Sequence, residues 1–190
     1  MTEKNSGLVV LFPGVGYTCT RPLLYFAGKL AEQEGYKVIP LSYSGFPKNI
    51  KGNKEKMRES FFLALEQTGQ ALDGIPMKDE KEIVFISKSI GTVAAAAYAK
   101  EKGLDVRHVL FTPLRETFDF LEPGVSAIAF HGTADPWAET PVIREQCCEK
   151  RIPLYITEGA NHSLETGNVA DDIQIVAEAM ELWKEEILLC

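Results

Sequence analysis

The segment EIVFISKSIGTVAAAAYAK, residues 82–100, passes directly from an apolar run into a helical run. Its first six residues are mostly β-branched or aromatic and predict a buried strand. The second part, which contains four consecutive alanines, predicts a helix at residues 92–102. The turn between them needs small residues two positions before and two positions after its central serine, so that strand and helix can approach closely. Ser87 and Gly91 meet that need, and Ser89 is predicted at the tip of the turn.

Apolar runs of the same kind recur along the chain and alternate with helical patterns. They predict six buried strands, at residues 8–12, 36–43, 82–87, 108–112, 127–131 and 153–157. Because each strand is separated from the next by a crossover, we expect a mainly parallel sheet flanked by helices. Further helices are predicted at residues 21–34, 53–73 and 168–188. The last carries an apolar stripe that predicts a buried face, formed by Val169, Ile173, Val176, Met180, Trp183 and Ile187.

Polar residues follow the last two predicted strands, where ligands of an open parallel sheet bind. The fifth strand runs into HGTAD, which ends at Asp135, and the sixth is followed by GANH, which ends at His162. A serine nucleophile needs an imidazole that takes its proton and a carboxylate that orients the imidazole. The sequence therefore predicts Ser89 as nucleophile, His162 as general base and acid, and Asp135 as the orienting acid.

With these three motifs after the third, fifth and sixth predicted strands, the sequence resembles the α/β-hydrolase superfamily over nearly its whole length. The order serine, aspartate, histidine is the one that the superfamily uses. The resemblance implies an α/β-hydrolase fold of class α/β, in a minimal six-stranded form, as one domain over residues 1–190. Only 46 positions separate Ser89 from Asp135, which leaves no room for a cap domain. The turn reads S-x-S-x-G, where the superfamily usually has G-x-S-x-G.

The motif PGVGY follows the first strand, where the resemblance implies one donor of an oxyanion hole. Val15 and Ile90 are the predicted N–H donors, with Tyr17 as the alternative to Val15. Gly14, Tyr17 and Trp137 are predicted to contact the substrate. No metal is predicted at this site.

Other interpretations of these motifs fit less well. The two serines could simply cap the alanine-rich helix. Asp119 is an alternative acid, because some hydrolases of this fold carry the acid after the fourth strand. A dinucleotide site at Gly14 and Gly16 is disfavoured, since Cys19 occupies the third glycine position and no acidic residue ends the second strand.

The composition agrees with one globular domain, because 45% of the 190 residues are apolar and 25% are charged. A net charge of −7 argues against nucleic acid or an anionic membrane as the partner. The polar start MTEKNSG and the lack of an apolar run of about 18 residues predict a cytoplasmic protein. The cysteines form no C-x-x-C pair and are predicted to be buried reduced thiols: Cys19, Cys147, Cys148 and Cys190.

We therefore expect a small serine hydrolase that acts on a carboxylic ester or thioester without a metal or organic cofactor. A monomer or a small homo-oligomer is expected. An acyltransferase and a non-catalytic binding module on the same fold are the alternatives. Without a cap, the site should be open, with Tyr17 and Trp137 as its walls and a preference for acyl groups of about two to six carbons.

A basic stretch follows the second strand on this otherwise acidic chain, and it comprises Lys48, Lys51, Lys54, Lys56 and Arg58. Such a stretch is usually a solvated surface. Because it begins on the side of the predicted site, it could also steer an anionic acyl substrate.

Overall fold

A computed structural model describes residues 7–188, and its centre is a six-stranded sheet. The strands are β1 Gly7–Phe12, β2 Tyr36–Pro40, β3 Ile83–Lys88, β4 Arg107–Phe111, β5 Ala127–Gly132 and β6 Leu154–Thr157. They lie in the spatial order β2-β1-β3-β4-β5-β6, and every neighbouring pair is parallel. All residues of β1, β3 and β5 are buried, as expected for parallel strands that are covered on both faces.

Helices cover both faces of the sheet. They are α1 Pro22–Gln33, α2 Lys54–Leu72, α3 Ile90–Lys102, α4 Thr140–Lys150 and α5 Val169–Trp183, which continues as a π-helical turn, Lys184–Leu188. One face packs against α1 and α5 around Leu24 and Trp183. The other face packs against α2, α3 and α4. No helix in the described part of the chain is long and apolar enough to cross a membrane.

The strand order brings the ends of β1 and β3 together. From β1 the chain moves outward to β2, whereas from β3 it moves outward in the opposite direction to β4. The connections that leave these two central strands therefore diverge, and a crevice forms beyond their carboxyl ends, where ligands of such sheets bind. The PGVGY loop and the turn at Ser89 border this crevice.

The β4–β5 connection, residues 112–126, contains only a short 3₁₀ helix, Arg115–Phe120. This agrees with the prediction that no cap domain is inserted there. At the sheet edge, β2 ends at Pro40 and not at residue 43 as predicted. The last pair of its ladder with β1 is Leu11 and Pro40, and the N–H of Leu41 still donates to the carbonyl of Leu11 at 2.9 Å.

The apolar stripe predicted for α5 is buried only in its second half, and the prediction was wrong for the first half. Trp183 and Ile187 are fully buried, as the periodicity predicted. Val169 and Ile173, however, are 72% and 67% exposed. They border a groove with Phe26 of α1, which does not cover them, so the start of α5 presents an apolar surface to solvent.

The cysteines are only partly as predicted. Cys147 is buried on α4, one turn after the buried Ile143. Cys148 is exposed, because successive residues of a helix point in directions about 100° apart and α4 covers the sheet with one face only. Cys19 is half-buried, and all three are free thiols. Cys190 lies outside the described residues.

Candidate active site

Ser89 lies in a sharp turn between β3 and α3, and its backbone has φ 56° and ψ −125°. These angles are those of the first central residue of a type II′ turn, a position that glycine dominates. A non-glycine residue is strained there and stays only because its surroundings impose the conformation. Those surroundings are close, since a Cβ at Gly91 would lie 2.5 Å from the carbonyl oxygens of Phe12 and Pro13. Only glycine at position 91 lets α3 begin this near to β1.

Three predicted site residues form one hydrogen-bonded chain. The Oγ of Ser89 lies 2.7 Å from Nε2 of His162, and Nδ1 of His162 lies 2.7 Å from Oδ2 of Asp135. The second oxygen of Asp135 accepts from the N–H of Trp137 at 2.8 Å. An ionised carboxylate only accepts, so Nδ1 carries the proton and Nε2 is free to accept the Ser89 hydroxyl.

Close contact between the loops after β5 and β6 places the carboxylate and the imidazole. A Cβ at Gly132 would lie 2.2 Å from the carbonyl oxygen of Ala160, so this approach requires glycine. The N–H of Thr133 donates to the carbonyl of Thr157, at 3.1 Å. From the neighbouring strand end, the hydroxyl of Thr112 donates to the carbonyl of His162 at 3.0 Å. The backbone of the histidine is therefore fixed from two sides.

The electrostatics of the chain favour a neutral imidazole next to an ionised carboxylate. Burial raises the pKa of Asp135, but its hydrogen bond with His162 and the N–H of Trp137 outweigh burial and lower the pKa below its usual value. Burial lowers the pKa of His162 below its usual value, and the charge of Lys88 lowers it further against the opposing effect of Asp135. His162 is thus ready to accept a proton at neutral pH.

The loop after β1 packs directly against Ser89. A Cβ at Gly14 would lie 3.1 Å from the Cβ of Ser89. Gly14 and Tyr17 exchange two backbone hydrogen bonds of 3.0 and 3.4 Å, which close a tight turn around Val15. The N–H of Tyr17, the predicted alternative donor, is therefore engaged. Among residues 7–188, the N–H groups of Val15 and Ile90 have no acceptor, and they stay the predicted oxyanion donors.

Tyr17 and Trp137 differ in where the structure places them. Trp137 is 37% exposed, and its ring centre lies 5.7 Å from that of His162, as expected for a residue beside the substrate. Tyr17 is only 5% exposed and packs in the core, and it also lines the groove between α1 and α5, so its contact with the substrate stays a prediction. Its hydroxyl accepts from the N–H of Leu23 at 3.1 Å, and this bond keeps the ring in the interior.

Lys88 is a buried charge that the sequence analysis gave no role. It directly precedes Ser89 and is 1% exposed. Its ammonium lies 5.1 Å from the centre of the Tyr17 ring, within the range of a cation–π contact. Burial lowers the pKa of Lys88 to about 7, although the charges of Asp135 and Glu165 raise it. A lysine inside an otherwise apolar strand was the sequence signal that could have drawn attention to it.

The competing candidates are not members of the hydrogen-bonded chain. Asp119 is on the 3₁₀ helix and pairs with Arg115 at 3.1 Å, so it is not the partner of His162. His131 is fully buried, with its Nε2 3.0 Å from the hydroxyl of Thr140 and its Nδ1 3.9 Å from Oδ2 of Asp135. The hydroxyl of Ser87 donates to the carbonyl of Val109 on the neighbouring strand, so it is engaged in the sheet.

Solved structures of similar fold are esterases and related hydrolases. Est1E from Butyrivibrio proteoclasticus has a TM-score of 0.71 at 10% identity, over 98% of this chain and 90% of that chain. The esterase Est2 from Thermogutta terrifontis has a TM-score of 0.64 at 16% identity, over 99% and 85%. An alpha-beta serine hydrolase homologue from Coxiella burnetii has a TM-score of 0.62 at 13% identity, over 92% and 83%.

The chain therefore has the α/β-hydrolase fold, and the fold class predicted from its sequence is confirmed. No family model matches the sequence, and no curated protein is similar to it.

Proposed function

We propose that the protein is a serine hydrolase that cleaves a carboxylic ester or thioester through an acyl-enzyme on Ser89. The observation that carries this proposal is the unbroken hydrogen-bonded chain from Ser89 through His162 to Asp135. It lies at the crevice of the sheet, beside the N–H groups of Val15 and Ile90. The fold and the esterases that share it support the proposal by analogy.

In the first half of the reaction, the oxygen of Ser89 attacks the acyl carbonyl while Nε2 of His162 takes the hydroxyl proton. Asp135 stabilises the imidazolium that forms. The carbonyl oxygen becomes an oxyanion, which accepts from the N–H groups of Val15 and Ile90. When this tetrahedral intermediate collapses, the bond to the leaving group breaks. His162 gives its proton to the departing alcohol or thiol, and the acyl group stays on Ser89.

In the second half, a water molecule attacks the acyl-enzyme and His162 takes one of its protons. The same N–H groups stabilise the second oxyanion. Collapse then breaks the bond between the acyl carbon and Ser89, and the serine recovers its proton from His162. One ester or thioester and one water become one acid and one alcohol or thiol, and His162 carries each proton that is transferred, while the backbone N–H groups only donate hydrogen bonds.

The test is hydrolysis of p-nitrophenyl acetate together with labelling by a fluorophosphonate probe. We expect Ser89→Ala and His162→Ala to lose nearly all turnover, because nucleophile and base act as a unit, and Ser89→Ala to lose all labelling. Ser126→Ala is the matched control, since this exposed serine lies at the opposite edge of the sheet, before β5. Turnover by Ser89→Ala at the wild-type rate would reject the proposal, and turnover only with an added alcohol or thiol acceptor would indicate an acyltransferase.

A further inference from the structure

An apolar cavity of about 590 Å³ lies between the start of α2, the first turn of α3 and the 3₁₀ helix. This volume is within the range of small-molecule sites. The floor of the cavity is buried and apolar, and it is formed by Ile90, Val93 and Leu114. Half-buried Met57, Phe61 and Phe120 pack around that floor. The sequence predicted only Tyr17 and Trp137 as walls of the site, and this cavity was not predicted.

Ser89, Asp135 and His162 do not line the cavity, but two residues of its floor are close neighbours of the reacting centre along the chain. Ile90 follows Ser89 directly, so the residue whose N–H faces the oxyanion also lines the cavity with its side chain. Val93 lies one helical turn later on the same face of α3. Leu114 comes two residues after Thr112, whose hydroxyl bonds the carbonyl of His162. A group attached to the carbonyl carbon at Ser89 has this space next to it.

Charged side chains are confined to the mouth of the cavity. Lys54 and Arg58 approach from α2, and Glu116 and Asp119 approach from the 3₁₀ helix. Both signs are present there, and the floor carries no charged group. The chemistry therefore favours an apolar occupant whose far end reaches a polar, solvated rim.

We propose that this cavity binds the acyl group of the substrate, and that the group is an apolar aliphatic or aryl chain longer than acetyl. The assignment rests on the proposed hydrolase function. Each methylene that enters the cavity should raise kcat/KM by up to about fourfold until the space is filled. This differs from the expectation of a short, shallow pocket, because a wall of side chains from α2 and the 3₁₀ helix replaces the absent cap.

A second groove, of about 420 Å³ between α1 and α5, is the competing location for the acyl group. It is lined by Ser163, which follows His162, and by the exposed Ile173. A substitution in each space separates the two. Met57→Trp adds bulk at a half-buried position beside the floor of the cavity, and Val93→Phe adds bulk in the floor itself. Ile173→Trp adds the same bulk to the groove at an exposed position.

The experiment compares kcat/KM for p-nitrophenyl acetate and octanoate below the micelle concentration. We expect octanoate to exceed acetate by at least tenfold in the wild type and in Ile173→Trp. In Met57→Trp the octanoate-to-acetate ratio should fall by at least tenfold, and Val93→Phe should repeat this if it folds. An unchanged ratio in Met57→Trp, a wild-type ratio near one, or a fall only in Ile173→Trp would overturn the assignment.

Ser89→Ala, assayed alongside, distinguishes the two possible failures. If this variant is inactive while the cavity variants keep the wild-type ratio, the acyl site is wrong and the proposed hydrolase stands. If Ser89→Ala hydrolyses acetate at the wild-type rate, the proposed function fails and the acyl assignment fails with it.

Discussion

The two oxygens of Asp135 have different partners, and the substitution Asp135→Asn separates their effects. An asparagine keeps the shape and can still accept the N–H of Trp137. It can also present its NH₂ to His162, which favours the tautomer that cannot take the proton of Ser89. By analogy with the same change in a serine protease, we expect kcat to fall by about 10⁴ with the fold intact.

Asp105→Asn, in the exposed loop before β4, is the control for loss of a carboxylate, and circular dichroism checks the fold. A larger loss in Asp119→Asn than in Asp135→Asn would contradict the assignment of the acid.

A substitution of Lys88 tests how the proposed activity depends on pH, because Lys88 influences the pKa of His162. Its positive charge lowers the pKa of His162, and only neutral His162 can act as the base. Removal of that charge in Lys88→Met should raise the pKa of His162. The acidic limb of the kcat/KM profile, measured with a neutral ester, should therefore move to higher pH, and the variant should lose activity first at acidic pH. A limb that stays in place or moves to lower pH would show that the charge of Lys88 does not reach His162.

At the scale of elements, α5 combines a packed end with an uncovered start. Trp183 is fully buried, and its replacement by alanine should cost about 3–5 kcal/mol in the free energy of unfolding. Ile173→Ser, ten residues earlier on the predicted stripe, should change that free energy by less than about 0.5 kcal/mol because the side chain is already in solvent. Urea unfolding of the two variants measures both values. Comparable losses would mean that the start of α5 is covered in solution.

This contrast also explains which elements the sequence could predict. Strands β1 and β3 to β5 were predictable because a strand buried on both faces is a continuous apolar run. The periodicity of α5 identified the correct face, but periodicity contains no information on whether another element covers that face. Val169 and Ile173 fit the pattern as well as Trp183 does, and only the position of α1 decides between them.

The hydrogen-bonded chain was predictable for a similar reason. Ser89, Asp135 and His162 each follow a strand, and the carboxyl ends of parallel strands meet at one edge of the sheet. The cavity was not predictable, because its walls come from three segments far apart in sequence, such as Met57, Val93 and Phe120. Their meeting depends on the packing angles of α2 and the 3₁₀ helix, which have no counterpart in a local pattern.

At the scale of the whole molecule, the distribution of charge predicts a response to salt. The chain carries a net charge of −7, yet Lys54 and Arg58 lie at the mouth of the cavity beside Glu116 and Asp119, of which Asp119 is paired with Arg115. These cations should attract an anionic substrate at low ionic strength, and screening shortens their reach from about 30 Å at 0.01 M salt to about 3 Å at 1 M. The kcat/KM for the half-ester of a dicarboxylic acid should therefore fall as salt rises.

A neutral ester of similar size is the control for this measurement and should respond little. In the double variant Lys54→Gln and Arg58→Gln, the anionic ester should lose its salt dependence. Equal responses of the two esters in the wild type would reject steering and leave the basic stretch as a solvated surface.

The strained backbone of Ser89 affects the stability of the whole molecule. Glycine adopts φ 56° and ψ −125° without strain, so Ser89→Gly should gain most of the roughly 1–3 kcal/mol that such a conformation costs. Greater freedom of the unfolded chain offsets about 0.4–1 kcal/mol of this. The net gain of about 1 kcal/mol corresponds to a rise in Tm of about 2–4 °C at this chain length. Ser89→Ala keeps the strain and should show no such rise in calorimetry, and a rise as large as that of Ser89→Gly would argue against strain.

The substitution of Ser89 that should raise the thermal stability is therefore one that should also abolish the proposed activity. A laboratory evolution campaign that screened this protein only for survival of heating would favour loss of the proposed nucleophile, because the change of Ser89 to glycine alone would raise the stability. The effect would be largest in the least stable variants, where about 1 kcal/mol is a large share of the free energy of unfolding. Any programme that aims to make the protein more stable should therefore also measure the proposed hydrolysis in each round, and place its mutations away from the turn that carries Ser89.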